Sequence, residues 1–177
     1  MYIGNERIQV GGHDIDLTLD DFWRWSFSDF SDFSTRAAFS RFLTASSLGL
    51  TVSDIARDKH TNDLLWSQSG TSILKVGVRT AAYIQSDEAE HPDHIVFDIP
   101  TEHTCNAYVF CVFKALRQTE SPLNTDLWDF YSLKTIAFNG SNPYQQFITL
   151  PALMEFQPVW SDYYGIGAAI QKAMTAR

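Results

Sequence analysis

Cysteine is nearly absent from this chain of 177 residues, which has only Cys105 and Cys111. A disulfide-stapled scaffold is therefore excluded. Both lie in one apolar segment, and a strand there puts them six apart on one face, beyond bridging distance. They are expected to be buried free thiols, which suits a reducing, cytoplasmic setting. Charge is also scarce, at 19% of residues, with 21 acids against 13 Lys and Arg. A net charge of −8 excludes a blanket nucleic-acid binder, although a local basic groove remains compatible with it. The longest uninterrupted apolar run, residues 107–113, is far too short to span a membrane. The start of the chain lacks the basic-then-apolar pattern of a signal peptide. No repeat, low-complexity tract or linker interrupts it.

Aromatic residues are plentiful, with 13 Phe, 7 Tyr and 5 Trp, and hydrophobic residues reach 45%. That composition excludes disorder and coiled coil and supports one folded domain. Residues 1–17 read as an extended arm turning at Gly11-Gly12, and 18–177 as the domain. Thr18 caps a first helix whose opening turn holds Asp20 and Asp21. Ser34 or Thr35 caps a second, with Ala38, Phe42, Ala45 and Leu48 at helical spacing and Gly49 as its stop. Residues 62–68 and 73–85 read as a hairpin about Ser69-Gly70. Further strands are expected at 94–99, 105–116 and 127–133, the second of these central because it is almost continuously apolar. Short elements near 147–156 lead to a last helix at 162–174. The expected class is α/β, a mixed sheet flanked by helices.

Several segments then matter together. In order they are Phe22-Trp23-Arg24-Trp25, residues 35–43, Asp63-Leu64-Leu65, Ser69-Gly70, residues 76–85, Ala107-Tyr108-Val109-Phe110-Cys111 and Leu127-Trp128-Asp129-Phe130-Tyr131. Their order and spacing resemble the PD-(D/E)xK nuclease superfamily of restriction-endonuclease-like fold, in particular its small stand-alone bacterial proteins. The resemblance covers most of the chain. It implies a metal site built from an Asp on the first hairpin strand and, on the second, a Glu two residues before a Lys. A further Glu can come from the preceding helix. Asp63 matches the first position. The strand Glu position is Gly77, the Lys position is Arg79, and the helix Glu position is Arg41. Residues 73–85 contain no acid, so no shift of register restores the Glu.

One carboxylate is too few to hold a divalent ion that keeps most of its waters, and two added arginines repel it. Arg79 is also too basic to serve as a neutral base. The resemblance with these departures implies a degenerate nuclease with no catalytic residues. It would serve as a binding or regulatory subunit in bacterial or phage defence or counter-defence, with a protein as its partner. A rival reading is an active Mg²⁺- or Mn²⁺-dependent nuclease, using Asp63 with a migrated carboxylate from Asp54, Asp58 or Glu88.

A third reading comes from charge. Residues 36–79 carry net +3 through Arg36, Arg41, Arg57, Lys59, Lys75 and Arg79, whereas 80–113 hold six acids and no Lys or Arg. Arg41, Lys75 and Arg79, with Gln85 on the same strand parity as Arg79, are candidates to contact phosphate by charge-assisted hydrogen bonds. The ligand would be a small anionic nucleotide, or nucleic acid along the basic segment. The alternative is that Arg41 pairs with Asp63 and the others are solvated. His91-Pro92-Asp93-His94 and His103-Thr104-Cys105 contain zinc-ligand types at no standard spacing, and read as ordinary loop histidines. The aromatic run of Phe22, Trp23, Trp25, Phe27, Phe30 and Phe33 is expected to pack against the last helix, with any exposed part suited to a partner protein or to base stacking.

Overall fold

The computed structural model describes residues 2–51, 63–67, 73–84, 94–100, 104–117, 119–139 and 146–176. Strands β1 (Arg7–Val10) and β2 (His13–Thr18) form an antiparallel hairpin. Gly11 and Gly12 close it at φ 59° and 82°, left-handed values that glycine adopts without Cβ strain. Helix α1 (Leu19–Phe27) begins in a reciprocal capping box: Asp21 N–H donates to Thr18 Oγ1 and Thr18 N–H to Asp21 Oδ2.

The aromatics of α1 do not enter the core. No residue of the helix is fully buried, Trp23 is half-buried beside Gly4, and Trp25 is 80% exposed. Phe22 and Trp25, three residues apart, share the opposite side with ring centroids 6.3 Å apart. Helix α2 (Phe33–Ser47) is capped by Asp32 rather than by Ser34 or Thr35. The Asp32 carboxylate accepts from Thr35 N–H at 2.7 Å, so the helix starts two to three residues earlier than a Ser34 or Thr35 cap implies. Gly49, at φ 71°, follows the helix end.

The domain is built on one five-stranded mixed sheet, ordered β3–β4–β6–β7–β9. These strands are β3 (Asp63–Trp66), β4 (Leu74–Ala82), β6 (Ala107–Phe113), β7 (Trp128–Lys134) and β9 (Val159–Ser161). Neighbours are antiparallel except β4 and β6, which run parallel. Every residue of β6 is buried, as the continuous apolar run required of a central strand. Two smaller strands, β5 (Val96–Asp98) and β8 (Phe147–Thr149), pair antiparallel beside the main sheet. The remaining helices are α3 (Ile136–Asn139), α4 (Leu150–Glu155) and α5 (Ile166–Thr175). The elements make a single α/β domain.

Strand alternation divides the core into two halves. On one face, Val76, Val109 and Cys111 pack with Leu43 and Ala45 of α2 and Ile166 and Ile170 of α5. On the other, Ala81, Tyr108 and Phe110 meet Phe97 of β5, Ile148 of β8 and Leu153 of α4. Each fully buried side chain of this size stabilises the fold by roughly 1.5–3 kcal/mol relative to exposure. Both cysteines are buried free thiols, but they do not share a face. Cys105 lies ahead of β6 in a bend, so the two-residue alternation does not extend to it. Among the described residues no helix is long and apolar enough to cross a membrane.

Candidate functional site

Asp63 opens β3 directly opposite Gly77 of β4, and Gly77 is in register with Tyr108 of β6. The three therefore lie in a row across one sheet face. Tyr108, 1% exposed, fills the space that a side chain at 77 would need. A Cβ there would sit 2.8 Å from both Cδ1 and Cε1 of the ring and 3.1 Å from Cys105 Sγ. The position that the resemblance assigns to the strand Glu is thus closed to any side chain by packing. Burial pushes the Tyr108 phenol and the Cys105 thiol up from their ordinary values, so both stay neutral. Cys105 Sγ is 3.4 Å from Thr135 Oγ1.

The Asp63 carboxylate has a protein partner. Asp63 is 3% exposed, and its Oδ2 accepts from Thr104 Oγ1 at 3.4 Å. Arg41, on α2, reaches the same residue at the backbone, with Nη2 donating to the Asp63 carbonyl oxygen at 3.4 Å. Arg79 sits with its guanidinium carbon 5.2 Å from the centroid of the Tyr108 ring, and its Nη1 donates to the Val78 carbonyl at 2.8 Å. Around Asp63 there are accordingly an aromatic ring, a neutral thiol and the Arg41 guanidinium, with the Arg79 guanidinium against the Tyr108 ring. That set does not fit a hard divalent cation, which takes oxygen ligands with negative charge. Among the described residues, no three His, Cys, Asp or Glu side chains gather into a metal-binding group. Asp54, Asp58 and Glu88 lie outside the described residues.

Beyond Gly77, the last residue of β4 paired with β3 among the described residues, β4 runs on to Ala82. There a cleft of about 780 Å³ opens between α2, β4 and the β5–β8 pair. Phe33 and Arg41 line it from α2, Arg79 from β4, and Asp98 and Phe147 from β5 and β8. Two of the three candidate cations, Arg41 and Arg79, are therefore brought together. Lys75 is not on the cleft wall; it pairs across the strands with Leu65, and its backbone N–H donates to Asn106 Oδ1. Gln85 lies outside the described residues, as do Arg57, Lys59, His91 and His103. His94 is exposed and Cys105 is buried, so the described part of the histidine–cysteine set is divided between surface and core.

Arg36, counted with the basic segment, has a different task. It is 5% exposed, and its Nη1 donates to the carbonyls of Phe30 and Ser31 at 2.8 and 2.5 Å. It ties the turn before α2 to the helix. Burial pulls its guanidinium pKa down, while Asp32 and Asp29 pull it back up. A buried hydroxyl pair, Ser40 and Thr80, joins α2 to β4 behind the cleft.

Sequence reasoning missed Tyr108, Thr104, Phe33, Asp98 and Phe147. Only Tyr108 had a usable signal, since an isolated glycine in a strand marks a close approach by another group. Asp98 and Phe147 depend on β5 and β8 pairing beside the sheet, which their three-residue lengths do not announce. Phe33 and Thr104 depend on how α2 and the approach to β6 pack. Comparisons of the chain with known protein families, curated proteins and solved structures found no match.

Proposed function

We propose that this chain is a catalytically degenerate protein of restriction-endonuclease-like fold, which binds an anionic ligand through arginines and cleaves no phosphodiester. The observation that carries the reading is the convergence of Arg41 and Arg79 on one cleft beside a Glu position filled by Tyr108. A nuclease uses a metal to neutralise phosphate charge and to activate water. Two guanidinium groups supply the first function through charge-assisted hydrogen bonds but not the second. Binding without hydrolysis is what such a set of groups does.

In this reading the protein is an accessory or regulatory subunit, as the resemblance to small bacterial nuclease relatives implies. A partner protein would engage the outward Phe22–Trp25 pair of α1, and the setting would be nucleic-acid conflict between bacteria and phage.

The test is incubation of plasmid and single-stranded DNA with Mg²⁺ or Mn²⁺, using wild type beside Asp63→Ala. No cleavage by either protein is expected. Pyrophosphate is expected to raise the melting temperature of wild type and of Asp63→Ala, but not of Arg41→Met or Arg79→Met. Cleavage by wild type that Asp63→Ala abolishes would overturn the reading in favour of a metal-dependent nuclease.

A further inference from the structure

The shape of the cleft indicates what the anion is attached to. Its volume of about 780 Å³ falls within the range of small-molecule sites. Phe33 and Arg41 are eight residues apart on α2, so about 12 Å of helix separates the aromatic end from a cationic one. A phosphate, a pentose and a base laid end to end have about that reach. On the facing wall, Asp98 and Phe147 are directly paired across β5 and β8. Phe33 and Phe147 are 51% and 57% exposed, so each presents apolar ring surface to the cleft rather than to the core. A flat aromatic ligand covers such rings at little entropic cost, whereas a bare phosphate leaves them wet.

The distribution of charge points to a monomer rather than a strand. Only two arginines line the cleft among the described residues, and Asp98 adds a carboxylate to the same wall. A polynucleotide would bring further phosphates past that carboxylate into a protein of net charge −8. A single nucleotide needs one anionic end, and the vicinal hydroxyls of ribose are donors that a carboxylate accepts.

We propose that the cleft binds a ribonucleoside 5′-monophosphate. Its phosphate lies on Arg41 and Arg79, its base on Phe33 or Phe147, and its ribose hydroxyls donate to Asp98. This rests on the anion-binding reading above and adds the chemical class of the ligand.

The experiment is calorimetric titration of the full chain with AMP, GMP, CMP, UMP, the matching 2′-deoxynucleotide, ribose 5-phosphate and pyrophosphate. The variants are Phe33→Ala, Phe147→Ala and Asp98→Asn, each first checked for an unchanged circular dichroism spectrum. At least one nucleotide is expected to bind more tightly than ribose 5-phosphate by the worth of one stacked base, roughly five- to 150-fold. One of the two phenylalanine variants is expected to erase that gain. Asp98→Asn is expected to reduce the preference for ribose over deoxyribose and, by removing a negative charge from the cleft, to tighten pyrophosphate binding rather than weaken it. Equal binding of ribose 5-phosphate and every nucleotide would overturn this inference and leave the anion reading standing. An oligonucleotide that outcompetes its own monomer would also overturn it. No heat with any anion, pyrophosphate included, would bring down the anion reading itself.

Discussion

Substituting Gly77 by alanine tests the claim that Tyr108 and Cys105 close position 77 to any side chain. Two effects oppose each other. Alanine restricts the unfolded chain and, where the native backbone accepts it, stabilises by about 0.4–1 kcal/mol. Against this, the new methyl would lie 2.8 Å from two ring carbons of Tyr108 and 3.1 Å from Cys105 Sγ. Tyr108 is 1% exposed, so the ring has no open space to retreat into. Overpacking of this kind costs about 1–3 kcal/mol. The clash should win, with a net loss of about 1–2 kcal/mol. For a chain of this length that lowers the melting temperature by about 2–8 °C.

The assay is urea unfolding followed by tryptophan fluorescence, with Tyr108→Phe and Tyr108→Val backgrounds alongside. Tyr108→Phe keeps both ring carbons and should leave the cost of alanine unchanged. Tyr108→Val removes them, and the cost should vanish or reverse. Equal effects of Gly77→Ala in all three backgrounds, or stabilisation in the wild type, would refute the reasoning.

Arg36→Met should cost about 1–3 kcal/mol, because two carbonyls in a closely packed turn lose a charged donor. The folded variant should still bind pyrophosphate, which melting curves with and without the ligand would show. Burial pushes the Cys111 thiol up to about 12 and raises that of Cys105, so little thiolate forms near pH 8. Ellman's reagent should accordingly count no thiol in the native protein and two in urea; a rapid native reaction would contradict the burial. The Tyr131 phenol is pushed up to about 12, first by desolvation and then by Asp129. A raised value in the folded state gives a stability contribution that is complete below the unfolded value of 10.0 and is lost as pH climbs towards 12. Denaturant midpoints from pH 9 to 11.5 should fall above pH 10, and Tyr131→Phe should flatten that fall.

Long-period features of the fold were legible in the sequence, and features that depend on distant pairing were not. The unbroken apolar run at Ala107–Phe113 identified the central strand because only a strand buried on both faces tolerates it. The Thr18 cap and the stop at Gly49 were readable because a capping side chain and a left-handed glycine act locally. The Asp32 cap was missed because several neighbouring polar residues can each cap a helix start, and nothing local ranks them. The outward aromatics of α1 were assigned to the core because residue type suggests burial, while packing partners decide it.

At the site, the lone carboxylate and the two arginines were visible as residue types in the hairpin. Their arrangement was not. Arg41 and Arg79 line one cleft because α2 packs against β4, a tertiary contact that no local pattern in the sequence announces. The aromatic and acidic wall from β5 and β8 comes from two strands about fifty residues apart, with no periodicity to connect them.

The most direct test of metal-independent anion binding is calorimetric titration of pyrophosphate into the full chain, once with EDTA and once with Mg²⁺. Binding is expected with EDTA present for wild type and Asp63→Ala and is lost in Arg41→Met and in Arg79→Met. Mg²⁺, which complexes pyrophosphate in solution, should weaken binding rather than be required for it. Binding that requires Mg²⁺ and disappears in Asp63→Ala would contradict the account and place a metal centre at Asp63.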